Sequence, residues 1–94
     1  MASEVRIYTT SYCGYCRAAK SLLAQRGVTF REIDCSDDAA TRKWLIDTTG
    51  QRTVPQIFIG EVPVGGFSEL SALDRAGKLA AILAGEATPP SVAG

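Results

Sequence analysis

Two cysteines three positions apart, Cys13 and Cys16, stand at the seam between a strand-like run, Val5-Arg6-Ile7-Tyr8, and the head of a helical pattern. That placement limits both the fold and the chemistry. A pair at this spacing on the first turn of a helix can close a short disulfide. The first cysteine also falls where unpaired backbone N–H groups and the positive end of the helix dipole favour a thiolate. In this setting Cys13-Gly14-Tyr15-Cys16 reads as a dithiol redox motif. The competing reading is half of a zinc site, which needs four ligands. The chain has no histidine, and its only further cysteine is Cys35, so a closed site would need an aspartate or a partner chain. Redox chemistry is the preferred reading, with no metal in the apo protein.

The rest of the pattern surrounds this seam with an α/β domain. A β-branched and aromatic run at 5–9 is read as a first strand, and 14–26 turns helical, with Ala18, Ala19, Leu22 and Leu23 on one face. Gly27 stops that helix, 28–33 alternates as a second strand ended by Cys35, and Asp37 and Asp38 open a second helix to about Thr48, closed by Gly50. A right-handed crossover makes the two strands parallel. Gln56-Ile57-Phe58-Ile59, a Gly60-Glu61 turn and Val62-Pro63-Val64 form an antiparallel hairpin, and 67–83 is helical with a break at Gly77. The sum is a four-stranded mixed sheet with helices on both faces. Residues 1–84 form the domain, and 85–94, with Pro89-Pro90 and small residues, are read as a disordered tail.

Charge narrows the partners. Ten basic and ten acidic side chains cancel, unlike the basic footprint of a nucleic-acid binder. No apolar run reaches the roughly 20 residues that span a bilayer. The opening Met1-Ala2-Ser3-Glu4-Val5-Arg6 lacks the uncharged stretch of a secretory signal, and three cysteines are too sparse for a disulfide scaffold. The expectation is a cytoplasmic protein that keeps its thiols for chemistry.

Sites on such sheets gather at the carboxyl ends of the parallel strands, where Cys13 stands. Cys13 is the expected nucleophile and Cys16, one turn in, the more buried partner. Arg17 and Lys20 are the local cations, and the absence of histidine excludes a Cys–His dyad. Cys35 reads as a small buried hydrophobe, Trp44 as cover for the core, and Tyr8 and Phe58 as sheet-face residues. Pro55 removes a ladder donor and keeps Val54 extended, and base rates alone favour a trans Val54–Pro55 bond. Gly65-Gly66 is either a turn or a point where backbone approaches a ligand, with the helix N–H groups of 67–69 suited to a carboxylate.

Three motifs in order carry a resemblance. They are Ile7-Tyr8-Thr9 before Cys13-Gly14-Tyr15-Cys16, then Thr53-Val54-Pro55-Gln56-Ile57-Phe58-Ile59-Gly60, then Val64-Gly65-Gly66-Phe67-Ser68-Glu69-Leu70. Over residues 4–84 the chain resembles the glutaredoxins, most closely the small bacterial dithiol members. The resemblance implies a thioredoxin fold, a cis Pro55 in place of the base-rate expectation, and a glutathione groove. By the same token Cys13 is the catalytic thiol and Cys16 the resolving one. Glutathione would pair its backbone with Val54, pack beside Tyr15 and lie against Thr53, Pro55 and Gly66. Its γ-glutamyl carboxylate would meet the N–H groups of Phe67 and Ser68, and its amino group Glu69. The implied partners are glutathione and proteins bearing glutathione mixed disulfides or disulfides.

Two departures stand out. Gly14 occupies a place where dithiol members most often carry proline, and members without it include some that hold a [2Fe-2S] cluster between two protomers through the first cysteine and glutathione. A cluster-bridged dimer using Cys13 is therefore the alternative to a monomeric enzyme. Thr10 replaces a lysine that in many relatives binds the glycine carboxylate, so Arg42, Gln51 and Arg52 are the candidates for that contact. A redoxin served by thioredoxin reductase is a third reading.

Overall fold

A computed structural model describes residues 4–11 and 13–91. Residues 1–3, read above for the lack of a secretory signal, and residues 92–94 of the tail lie outside it. The elements follow in the order β1 Val5–Thr9, α1 Gly14–Gln25, β2 Arg31–Asp34, α2 Ala39–Thr49, β3 Gln56–Ile59, β4 Val62–Gly65, α3 Phe67–Arg75 and α4 Leu79–Leu83. The sheet order is β2-β1-β3-β4. β1 runs parallel to β2, with Tyr8 beside Ile33, and antiparallel to β3, with Ile7 opposite Ile57 and Tyr8 opposite Gln56. β3 and β4 form the antiparallel hairpin.

Strand alternation explains the layers. Val5 and Ile7 of β1 and Ile57 and Ile59 of β3 point to one face, where they meet Ala19 and Leu23 of α1, Leu70 and Leu73 of α3, and Leu79 and Ile82 of α4. Tyr8 and Phe58 point the other way, to Leu45 of α2 and Cys35. β3 is buried at every position because both of its faces are covered. Burying an aliphatic side chain contributes roughly 1.5–3 kcal/mol. Eleven buried residues in the first cluster against four in the second make the α1–α3–α4 side the main apolar anchor among the described residues.

The second strand begins later than its alternation suggests. Val28 donates its N–H to Leu23 O at 2.9 Å, and Gly27, at φ 70°, to Ala24 O at 3.0 Å, so both residues close α1 instead of joining the sheet. Val28 and Phe30 pack on the first cluster from outside. Cys35 lies one residue beyond β2, donating its N–H to Thr9 O at 2.9 Å. The long C-terminal helix divides at Gly77, at φ 72°, into α3 and α4. In the tail, Glu86 N–H donates to Ala81 O at 2.9 Å. Trp44 covers the second cluster while 43% exposed, its ring 5.7 Å from both Tyr8 and Phe58. No helix among the described residues is long and apolar enough to cross a membrane.

Candidate active site

β1 ends at Thr9, and the chain reaches α1 through residues 10–13. Ser11 is tied to the β2–α2 connection, its N–H donating to Ser36 Oγ at 2.8 Å, while Ser36 Oγ–H donates to Asp34 at 2.6 Å. This clamp, which the sequence reading did not include, fixes the entry to the thiol pair from the neighbouring parallel strand.

Cys13 is the N-cap of α1 in extended conformation, and its Sγ accepts the Cys16 N–H at 3.1 Å. A sulfur in that position meets donors the helix leaves unpaired, and the first turn contains no acidic residue to oppose a thiolate. The thiol also lies 3.5 Å from the Val54 carbonyl, which accepts from it. Cys13 is half-buried, whereas Cys16 is 2% exposed. Burial first, and then the hydrogen bond linking it to Cys13, push the Cys16 thiol up to about 12. The two sulfurs are therefore unequal by position: one faces out at the cap, the other is held neutral beneath it. Cys35 is fully buried, with its pKa raised by burial, and its thiol donates to Thr9 O at 3.2 Å.

The cations do not gather on Cys13. Lys20 pairs with Glu32 of β2 at 2.9 Å, and Thr9 Oγ1–H donates to the same carboxylate oxygen at 2.8 Å. The charge of Lys20 reaches Cys16, one turn back, as a small pull toward the thiolate. Arg17 is exposed, its N–H directed to Cys13 O at 3.4 Å. The outer thiol meets two backbone groups, the Cys16 N–H and the Val54 carbonyl.

Cys16 gives the fold a pH dependence. Its folded pKa lies above the ordinary thiol value, so the stability from keeping it neutral is complete below about pH 8.5 and is lost as pH climbs toward the folded value. Urea midpoints measured under reductant should fall between pH 8.5 and 11. The fall should be shallower in Cys16→Ser, and parallel slopes in the two proteins would refute this account.

A cleft of about 250 Å³ opens beside Cys13, lined by Tyr15, Gln51, Thr53, Val54, Pro55 and residues 66–69. The Val54–Pro55 bond is cis. The Tyr15 ring is 68% exposed and stacks on Phe67 at 6.2 Å, joining the α1 and α3 walls. Gly66 caps α3 with extended backbone, and a Cβ there would stand 3.2 Å from Pro55 O, so the floor closes only because this residue has no side chain. Glu69 is turned back on its own helix, its Oε2 accepting the Gly66 N–H at 3.1 Å. The N–H groups of Phe67 and Ser68 belong to the first turn, which has no intrahelical acceptors for them. A separate small hollow toward α2 is lined by Arg42 and Arg52 together with Gln51, Thr53 and Val54, which it shares with the cleft. The expected groove residues thus come together, and Gly14 sits open, with nothing within 4 Å of a Cβ built on it.

A parallel βαβ unit followed by a hairpin and helix, with a thiol pair at the first helix facing a cis proline, defines a dithiol protein of the thioredoxin fold. The glutaredoxin family model matches residues 5–64. Glutaredoxin of Pseudomonas aeruginosa is 53% identical over 79 residues, 84% of this chain and 94% of its own length. Glutaredoxin 3 of Escherichia coli is 44% identical over 81 residues, 86% and 98% of the two chains. The crystal structure of a buckwheat glutaredoxin–glutathione complex superposes with a TM-score of 0.83 at 32% identity, covering 94% of this chain and 83% of that one. The chain belongs to the glutaredoxin family and is a thiol–disulfide oxidoreductase.

Proposed function

We propose that this oxidoreductase is glutathione-dependent, reducing glutathione mixed disulfides and protein disulfides through Cys13, with Cys16 as the resolving thiol. The observation that carries the reading is a cleft over Val54 and Pro55, with the capping thiol 3.5 Å from the Val54 carbonyl that helps line it. The α3 N-terminus forms one wall of this cleft, and a separate small hollow that holds Arg42 and Arg52 shares Gln51, Thr53 and Val54 with it. Glutathione is an extended tripeptide with a carboxylate at each end and a thiol between, which suits donors at both ends and a sulfur in the middle. The buckwheat relative was solved in complex with glutathione. Glu69, engaged with Gly66, keeps its second oxygen for the ligand's amino group.

The Cys13 thiolate attacks the glutathione sulfur of a mixed disulfide. A Cys13–glutathione bond forms, the original S–S bond breaks, and the substrate leaves as a thiolate that takes a proton from water. A second glutathione thiolate attacks the glutathione sulfur on Cys13, giving oxidised glutathione and free Cys13. With a protein disulfide, Cys16 loses its proton, attacks the Cys13 sulfur of the mixed intermediate and releases the reduced protein. The Cys13–Cys16 disulfide is then reduced by glutathione. Glutaredoxin potentials of about −200 to −230 mV lie near the cytoplasmic glutathione poise, which fits a monomer working in that compartment.

The test is turnover of a small glutathione mixed disulfide, with glutathione and glutathione reductase supplying electrons. Saturable turnover is expected; its absence would overturn the reading. The second reading is the cluster-bridged dimer. A [2Fe-2S] cluster needs four ligands, and one chain offers a single accessible thiol, Cys13. Among the described residues no group of three or more His, Cys, Asp or Glu side chains could hold a metal. The remaining ligands would come from a second chain and from glutathione. Visible absorbance and dimerisation after anaerobic reconstitution, in a protein without turnover, would put the carrier role first.

A further inference from the structure

Residues 50–55 belong to no helix or strand, yet they carry the backbone that faces Cys13. Something must hold them in one conformation. From the α2 side, buried Thr49 donates its hydroxyl to Leu45 O at 2.7 Å and accepts the Gln51 N–H at 3.1 Å. From the sheet side the hold is Gln56, the first residue of β3 and only 1% exposed. Its Nε2 donates to Thr53 O at 2.7 Å and to Gln51 Oε1 at 3.1 Å, while its own Oε1 is buried with no protein partner. A carboxamide with a buried, unpartnered oxygen weakens a core, and an apolar residue of similar size would fill the same room. What glutamine adds is two donors, and both are used on the segment that lines the cleft.

We propose that Gln56 is a positioning residue for glutathione recognition: its carboxamide fixes the Thr53–Val54 backbone and turns Gln51 inward. Gln51 then acts as part of the strut, and the carboxylate contact passes to Arg42 and Arg52. This rests on the glutathione reading above, and it places a specificity element beneath the groove, out of reach of ligand and solvent.

The experiment compares wild type with Gln56→Leu in three measurements: mixed-disulfide kinetics, carboxymethylation of Cys13, and amide hydrogen exchange. The variant should raise KM roughly three- to tenfold, the effect of one or two lost hydrogen bonds. Both kcat and the Cys13 alkylation rate should stay within about twofold. Exchange at the Gln51 amide, which donates to Thr49 Oγ1, should quicken by a similar factor, while exchange in β1 and α1 stays unchanged. An unchanged KM with unchanged exchange in residues 51–54 overturns the proposal, as does equal quickening across the whole sheet, which marks a merely structural residue. If wild type shows no turnover, the glutathione reading fails separately and the local exchange alone decides whether Gln56 orders this segment. If Gln56→Leu does not fold, Gln51→Ala removes one end of the strut from the partly exposed side. Faster exchange at the residue 51 amide then supports the proposal, and unchanged exchange overturns it.

Discussion

Cys13→Ser should lower mixed-disulfide turnover at least about a thousandfold, because the proposed reaction runs through this sulfur, 3.5 Å from the Val54 carbonyl that lines the cleft. Cys16→Ser should leave the same turnover within about threefold, while reduction of a protein disulfide falls close to zero. The asymmetry follows from position. Cys13 sits at the cap, where its sulfur already accepts a backbone N–H. Cys16 lies beneath it, buried, with its thiol pushed up by that burial. Both activities are measured with the same coupled assay, using a small mixed disulfide and then a disulfide-bonded protein. Retained mixed-disulfide turnover in Cys13→Ser would remove the nucleophile assignment. Loss of both activities in Cys16→Ser would mean that Cys16 does more than resolve.

Gly66→Val should raise KM for the mixed disulfide by at least about tenfold. The added Cβ alone stands 3.2 Å from Pro55 O, a backbone atom in the cleft floor, and the γ-carbons need still more room. Either the Pro55 carbonyl or the start of α3 must give way, at a cost of roughly 1–3 kcal/mol for such overpacking. The backbone at Gly66 is extended, so valine adopts it without conformational strain and the contact is the whole effect. Carboxymethylation of Cys13 serves as the internal control, since the thiol's own environment lies across the cleft. A rate and a KM both unchanged from wild type would mean that the floor can shift freely and that the close approach has no functional weight.

Much of this site is legible from residue order. The spacing of Cys13 and Cys16, their place after β1, and the apolar run Ile57-Phe58-Ile59 locate the thiols and the sheet without coordinates. The parts that are not legible depend on pairings between distant segments. Lys20 reads as a free cation near the thiols until β2 brings Glu32 beside it. Arg26 reads as helix surface, yet it forms a two-point ion pair with Asp74 of α3 at 2.7 and 2.8 Å. Val28 alternates like a strand residue, and only the geometry of the α1 terminus shows that its N–H is already taken by Leu23. The general rarity of cis bonds favours trans before Pro55; only the match of whole motifs to a family reverses that expectation. Gln56 is the least visible of all, because a hydrophobic pattern can flag a polar residue in a buried strand but cannot say which carbonyls it will meet.

The register that sets Tyr8 opposite Gln56 joins the two strands on which the site depends, and they lie far apart in the chain. A polypeptide growing on the ribosome presents Cys13 and Cys16 long before residues 53–55 and 66–69 have been made. During that interval the thiols are present but nothing nearby selects what they meet. Discrimination begins only when β3 inserts between β1 and β4. The cleft beside Cys13 therefore exists only once β3 and the α3 N-terminus, both made later than the thiols, are in place.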